Sequence, residues 1–584
     1  MKHSENIDQE KGMEEPFINH PSKSLGGVKT LPFILVNEAC EKASYFGLQP
    51  NMILYLMGAY GLDLTTAANI MFFWFGATNF TPIVGAFLAD AYVGRYRMIA
   101  FGSVLTLIGT VLLWLTTVIP GLMPSKEQTT INSLTSSPPL LKLIYLCASF
   151  FLMAIGAGGI RSSSLAFGAD QLSSTGDVEN AKMSSNNKEL QSLFSWYYFS
   201  TAMAIVFGLT GIVYIQDHLG WQIGFAVPTL LVVAAALLFI SGSPFYVRVM
   251  PVASVLTRLA QVVVAAWRNR HYKLLSDGLS DGISYYVAKG SAVDVPSEKL
   301  RFLNKACIIK ESRRDLTLDG MAVDPWSLCT TDQVEDLKSI INIIPIWSSV
   351  IMAGVTSTTS SSFVVVQAKS MDRHFISQNF EIPAASFPTF SLISILVWLI
   401  LFNQVILPLA SKVRGRSVTV DAITQTGLGL VMSIVSVTVA GFVESVRRGT
   451  ALETMEGNDT FQPMSALWLV PQAWLTGLGE GITAVAQLQF LYSEFPKSMS
   501  SISSNLWGLS LSVSSFVASF IISLVNYVTK QGGKESWVSN DLNKGHYDYY
   551  YWVLACLSLV NYFYFLACSK AYRKKNKVSH EIVH

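Results

Sequence analysis

Residues 31–58 read LPFILVNEACEKASYFGLQPNMILYLMG, an apolar run with two acids and a base in its middle. About 20 mainly apolar residues suffice to cross a bilayer as a helix, so this run is long enough. Coiled as a helix, it places Glu38, Glu41 and Lys42 at i, i+3 and i+4, on one face. Lipid does not tolerate such a face, which must look inward to other helices or to water. The segment therefore predicts a membrane-spanning helix whose inner surface carries chemistry.

Eleven further runs of this kind follow, near 67–90, 98–120, 140–165, 194–215, 222–242, 335–357, 386–409, 420–443, 464–492, 500–528 and 547–569. They predict an all-α membrane protein of twelve transmembrane helices in two six-helix bundles. The division is a tail over 1–30, a first bundle over 31–242, a linker over 243–334, a second bundle over 335–569 and a tail over 570–584. The linker is polar and charged, and its TRLAQVVVAAWRNRH stretch, residues 257–271, reads as an amphipathic interfacial helix. Arg95 and Arg97, the bases of the linker, Lys412 to Arg416 and Arg573 to Lys577 all fall on one side, which predicts that both termini are cytosolic. Arg447 and Arg448 stand against that count. Asn458-Asp459-Thr460, in a loop of the other side, is a candidate glycosylation acceptor.

Composition agrees. Of 584 residues 51% are hydrophobic and 14% charged, too apolar for one soluble domain, and the net charge of +2 lacks the basic, aromatic-interleaved footprint of a nucleic-acid binder. Six scattered cysteines form no metal or redox spacing and read as buried free thiols; no metal or other cofactor is implied. The first thirty residues lack the layout of a cleaved signal, which leaves the first helix as the uncleaved one.

Ionisable groups inside apolar helices are costly and mark ion or solute paths. Besides Glu38, Glu41 and Lys42 these are Arg161, in GAGGIRSSSLAFGADQ after Gly156, Gly158 and Gly159, and Glu480, in WLTGLGEGITAVAQ. Three acids face two bases, so pairing leaves one carboxyl group to exchange a proton, as proton coupling requires. Between the second and third helices, GAFLADAYVGRYRM sets Gly85, Asp90, Gly94 and Arg95 at a helix boundary, a candidate conformational latch. Aromatic residues of the candidate pore helices, Tyr45, Trp74, Tyr197, Trp347, Trp474 and Trp507, are candidates for stacking on a substrate. An enzyme would need a nucleophile with a base beside it, and none is spaced for that. A channel or a sensor that transports nothing are the other classes compatible with the layout.

GAFLADAYVGRY resembles the loop signature of major facilitator carriers in their proton-coupled oligopeptide transporter form. Together with AFGADQ, IVYIQDHLGWQIGF, KLRFLNKACII, FPKSMSSI and GKESWVSNDLNKGHYDYYYWVLA it is most similar to the plant nitrate/peptide family (NRT1/PTR), subfamily 1, over about Lys29 to Cys568. The resemblance implies the major facilitator fold, alternating access, and proton coupling through Glu38, Glu41 and Lys42. It also implies an Arg161–Glu480 pair across the halves that responds to substrate. Low-affinity nitrate symport is the activity it puts first; a larger organic solute, such as a gibberellin, another hormone acid or a specialised metabolite, is the alternative. The partners implied are protons, the solute and membrane lipid, in a monomer or weak dimer, in the plasma membrane ahead of the vacuolar one.

The departures sharpen this. Ser357 stands where nitrate-handling members carry a histidine, joining the candidate pocket residues; Met98 replaces a phosphorylatable Thr, which predicts no dual-affinity behaviour. Phe402-Asn403 and Gln425 replace an acid and a base, as if a hydrogen bond stood in for an ion pair, and Thr201-Ala202 replaces Ile-Asn.

Overall fold

The computed structural model describes residues 26–119, 122, 140–173, 181–249, 255–272, 284–287, 295–310, 312–317, 320–375, 377–415, 420–455, 464–495 and 500–583. Asn458 lies outside this set. The first half comprises α1 (Leu31–Gly58), α2 (Leu64–Leu88), α3 (Arg95–Val118), α4 (Leu140–Ser173), α5 (Ala181–Phe207) and α6 (Val213–Ser241). In the linker lies α7 (Val255–Arg268). The second half comprises α8 (Thr331–Ser349), α9 (Ile351–Lys369), α10 (Pro388–Leu401), α11 (Leu407–Arg414), α12 (Ala422–Met455), α13 (Val470–Glu494), α14 (Ser500–Thr529) and α15 (Tyr547–Val583). A small antiparallel ribbon of β1 (His374–Phe375) and β2 (Ser377–Glu381) follows α9.

Among the described residues, eight stretches are long and apolar enough to cross a membrane, and α8 with α9, bent by 41° at their junction, make a ninth. One of the eight, Glu189–Phe245, is two spans. Gly220 breaks α6 with φ 79°, a left-handed conformation open to glycine, so the part before it completes the α5 span and the part after it starts the next. The remaining two of the twelve are α1 and α13, whose polar residues lower their hydropathy. The seventh span runs past the expected 357 to Lys369. Its hydroxyl-rich continuation stays helical, with Ser361 and Ser362 donating back to the carbonyls of Ser357 and Thr358, which satisfies these hydroxyls within their own helix.

The hydrophobic core is continuous between the halves on one face only. Leu48, Leu56, Leu64 and Phe72 of the first half share a cluster with Val364, Phe387, Ile522 and Tyr551 of the second. Near the linker the clusters are separate: Ile99, Phe167 and Phe239 in one half, Ile343, Phe490 and Phe565 in the other. Polar contacts reinforce the joined face. The Leu64 amide donates to Asn540 Oδ1 at 2.6 Å, Asn69 exchanges bonds with Ser519 and Ser523 at 2.7 and 2.9 Å, and Arg373 faces Asp217 at 3.9 Å. Opposite the linker the halves are thus joined by core and polar contacts, beside a cleft of about 550 Å³ between α1, α6 and α9, and near the linker their buried clusters are distinct.

The amphipathic helix read from residues 257–271 is α7. Its Val262, Ala265 and Ala266 are buried with Leu303, Cys307, Cys329 and Val334, which ties the linker to the base of α8. Cys147 and Cys556 are exposed on their helices, so the six thiols are free but not uniformly buried. Arg447, at odds with the charge count, is no free cation. It is 2% exposed, with Nε and Nη2 2.8 and 2.7 Å from the Glu444 carboxylate, Nη1 2.9 Å from Asn543, and Gln367 donating to the same acid at 2.7 Å. Removing one partner of such a pair strands the other charge, so Arg447→Gln is expected to cost about 3–5 kcal/mol, read as a lowered melting temperature in detergent.

Candidate functional site

A cavity of about 300 Å³ lies between the halves. The first half lines it with Lys42, Tyr45, Phe46, Gln49 and Ile53 of α1, Phe75 and Asn79 of α2, and Arg161 of α4; the second with Ser357, Thr358, Ser361 and Ser362 of α9, Ser391 and Ile395 of α10, Glu480 of α13 and Leu511 of α14. The face of α1 read from the sequence is therefore an inner wall, as its charges require.

Arg161 is held by α1. Its Nε and Nη2 lie 3.0 and 2.7 Å from the two Glu41 carboxylate oxygens, and its guanidinium rests over the Tyr45 ring 4.5 Å from the centroid, a cation–π contact. Glu38 is buried one turn away, with Tyr197 donating to Oε1 at 3.0 Å and the Lys42 ammonium 3.8 Å from the same oxygen. Its Oε2 has no hydrogen-bond partner among the described residues. Glu480 accepts a 2.6 Å bond from the Ser357 hydroxyl on Oε2. The expected Arg161–Glu480 pair is absent from this structure. Both residues line the same cavity, but the bidentate partner of Arg161 belongs to its own half, and Glu480 on the second-half wall is taken by Ser357.

The aromatic candidates divide. Tyr45 and Ser357 line the cavity, and Trp507 lines a small recess behind Glu480 with Ser510 and Ser514. Trp74 stacks on Phe150 with centroids 4.8 Å apart and packs behind Tyr45, and Trp347 donates to the Leu506 carbonyl at 2.9 Å. Trp474 accepts at its carbonyl from Ser394, and Tyr197 reaches the site only through Glu38. None of these four is among the cavity-lining residues. Ser361 and Ser362 also line it; they end the run TSTTSSS, residues 356–362, whose hydroxyls read from the sequence as polar lining of a solute path ahead of plain helix packing, whereas Gln49, Asn79 and Ser391 line it and were not singled out. Gln49 was within reach, since it follows Lys42 and Tyr45 at i+7 and i+4 on the same helical face.

At the candidate latch, Gly94 has φ 85° and separates α2 from α3. A side chain at Gly85 would strike the Gly158 carbonyl, so α2 and α4 touch backbone to backbone there. Arg95 spans 3.2 Å to Asp90 and 2.8 Å to Asp170. Asp170, in the AFGADQ stretch, completes the group, and all three belong to the first half, where they fasten the α2–α3 turn to the end of α4. Gln425 donates to the Val420 carbonyl at 2.9 Å; the Asn403 side chain is outside the described set.

Two six-helix bundles joined on one face about a central cavity that carries ionisable residues define a membrane carrier of the major facilitator fold. The solved structures agree: the in meso crystal structure of the POT family transporter PepTSo aligns with a TM-score of 0.66 and 18% identity, covering 94% of this chain and 98% of that one. Residues 96–538 match the model of the POT family. Protein NRT1/PTR FAMILY 1.2 of Arabidopsis thaliana is 46% identical over 573 residues, 97% of this chain and 93% of that protein. Protein NRT1/PTR FAMILY 1.1 of the same plant is 47% identical over 563 residues, 96% and 93% of the two chains. The chain belongs to the POT family of proton-coupled transporters, in its NRT1/PTR branch, subfamily 1.

Proposed function

We propose that this chain is a proton-coupled symporter that carries an anion by alternating access, with the linker face cytosolic and the structure open inward. The observation that carries the reading is the cavity wall, where Lys42 and Arg161 supply positive charge directly in front of the buried Glu38 and Glu41. Glu41 fixes Arg161, while the unbonded Oε2 of Glu38 is the atom a coupling proton can occupy, with Tyr197 and Lys42 positioning the carboxyl group. An anion bound at Lys42 and Arg161 would compete with the carboxylates for those cations, so substrate and proton are linked by charge balance alone.

Nitrate is the substrate that the subfamily resemblance puts first. A larger organic anion is favoured by the cavity itself. Its volume of about 300 Å³ falls in the range of small-molecule pockets, and Phe46, Ile53, Phe75, Ile395 and Leu511 give it apolar walls that nitrate has no use for. Uptake of labelled nitrate and of labelled gibberellin by oocytes at pH 5.5 and 7.5 tests the proposal. Accumulation of either at acid pH supports proton-coupled anion transport, and the substrate accumulated decides between the two. Flux of either that ignores a pH gradient would overturn the coupling, and currents far above carrier turnover would indicate a channel.

A further inference from the structure

The two walls of the cavity offer opposite hydrogen-bonding character. On the first-half wall Lys42 has three donors and only a distant 3.8 Å carboxylate contact, and Arg161 has Nη1 left over after Nε and Nη2 bond Glu41. On the second-half wall four of the five lining Ser and Thr hydroxyls already donate: Ser357 to Glu480, Ser361 to the Ser357 carbonyl, Ser362 to the Thr358 carbonyl and Ser391 to the Ala473 carbonyl. A hydroxyl whose proton is spent presents lone pairs. Glu480 stands beside them, its Oε2 accepting from Ser357. The first-half wall therefore holds the cations, with the Gln49 and Asn79 amides beside them, whereas the second-half hydroxyls mainly accept, with apolar residues between.

We infer that Ser361 and Ser362, with Glu480, select a substrate that carries a hydroxyl group at the end remote from its carboxylate. This rests on the organic-anion reading of the cavity and deepens it. The carboxylate sits against Lys42 and Arg161, the hydrocarbon body spans Phe46, Phe75 and Leu511, and the far hydroxyl donates to the lone pairs of α9 and α13. An acid without that hydroxyl leaves the acceptors desolvated and unpaired, which is the arrangement in which a binding site discriminates most sharply. Nitrate, which has no donor, cannot use this wall.

The test compares labelled trans-4-hydroxycyclohexanecarboxylate with cyclohexanecarboxylate, which differ in one remote hydroxyl, by uptake at acid pH and by thermal stabilisation of the purified chain. The inference expects the hydroxy acid to be preferred about tenfold or more in KM and to raise the melting temperature further. In Ser361→Ala/Ser362→Ala the preference is expected to shrink to about threefold or less. Equal handling of the two acids by the unsubstituted protein would overturn the hydroxyl selection and leave the organic-anion reading standing. If neither acid is carried or stabilises the protein, both fall. A preference undiminished in the double variant would remove the role of the two serines.

Discussion

Glu38→Gln and Glu41→Gln are each expected to abolish pH-driven accumulation, and to differ in everything else. A transporter that carries one proton per substrate can concentrate it about tenfold for each pH unit, because one unit is 1.36 kcal/mol of proton driving force. Both variants should lose that gain and equilibrate. In Glu38→Gln the amide stays near Tyr197, strands no strong cation and should leave exchange of labelled for unlabelled substrate within about threefold of the parent. In Glu41→Gln the buried Arg161 loses its bidentate carboxylate. The cost of leaving such a charge unpaired, about 3–5 kcal/mol, should appear as a lower melting temperature and weak exchange together. Full pH-driven accumulation by Glu38→Gln would remove that carboxyl from the coupling step.

Much of this arrangement was legible in the sequence because it is written along single helices. Glu38, Glu41 and Lys42 share a face whatever else the chain does, and hydrocarbon leaves that face one direction to point. The two bundles followed from the lengths of apolar runs alone. Chemistry between helices was less accessible. Nothing in the spacing of Arg161, Glu41 and Glu480 says which acid the guanidinium takes, and the pair expected from the resemblance requires halves closer together than they stand here. The hydroxyl run that ends in Ser361 and Ser362 was legible as solute-path lining, but which of its members face the cavity depends on how α9 is rotated against its neighbours. Trp74 and Trp347, conspicuous in the sequence, turned out to be wedges between helices, since an indole contributes most where its whole area is covered. That Arg447 is buried against Glu444, one helical turn away, could not be read from the charge count, in which it stood as an exception.

The partner of Arg161 is the point on which geometry and resemblance part, and a pair of double-mutant cycles separates them. Stability in detergent without substrate is the readout, because it reports on the resting form rather than on the whole transport cycle. If the structure represents that form, Arg161→Gln should be strongly destabilising, but much less so once Glu41→Gln has removed the acid it would otherwise strand. The coupling between positions 41 and 161 is then expected at about 2–3 kcal/mol, the upper range for residues in direct contact. For 161 and 480, which face each other across open cavity, the losses should add to within about 0.5 kcal/mol. The transport measurement should behave differently. If alternating access brings α13 toward α4 so that the two residues meet, Arg161→Glu and Glu480→Arg should each impair uptake more than the charge-swapped double variant. Strong coupling of 161 with 480 in the resting protein would mean that Arg161 already spans the halves. Absence of coupling in transport as well would mean that Glu480 serves only the wall on which it stands, beside Ser357.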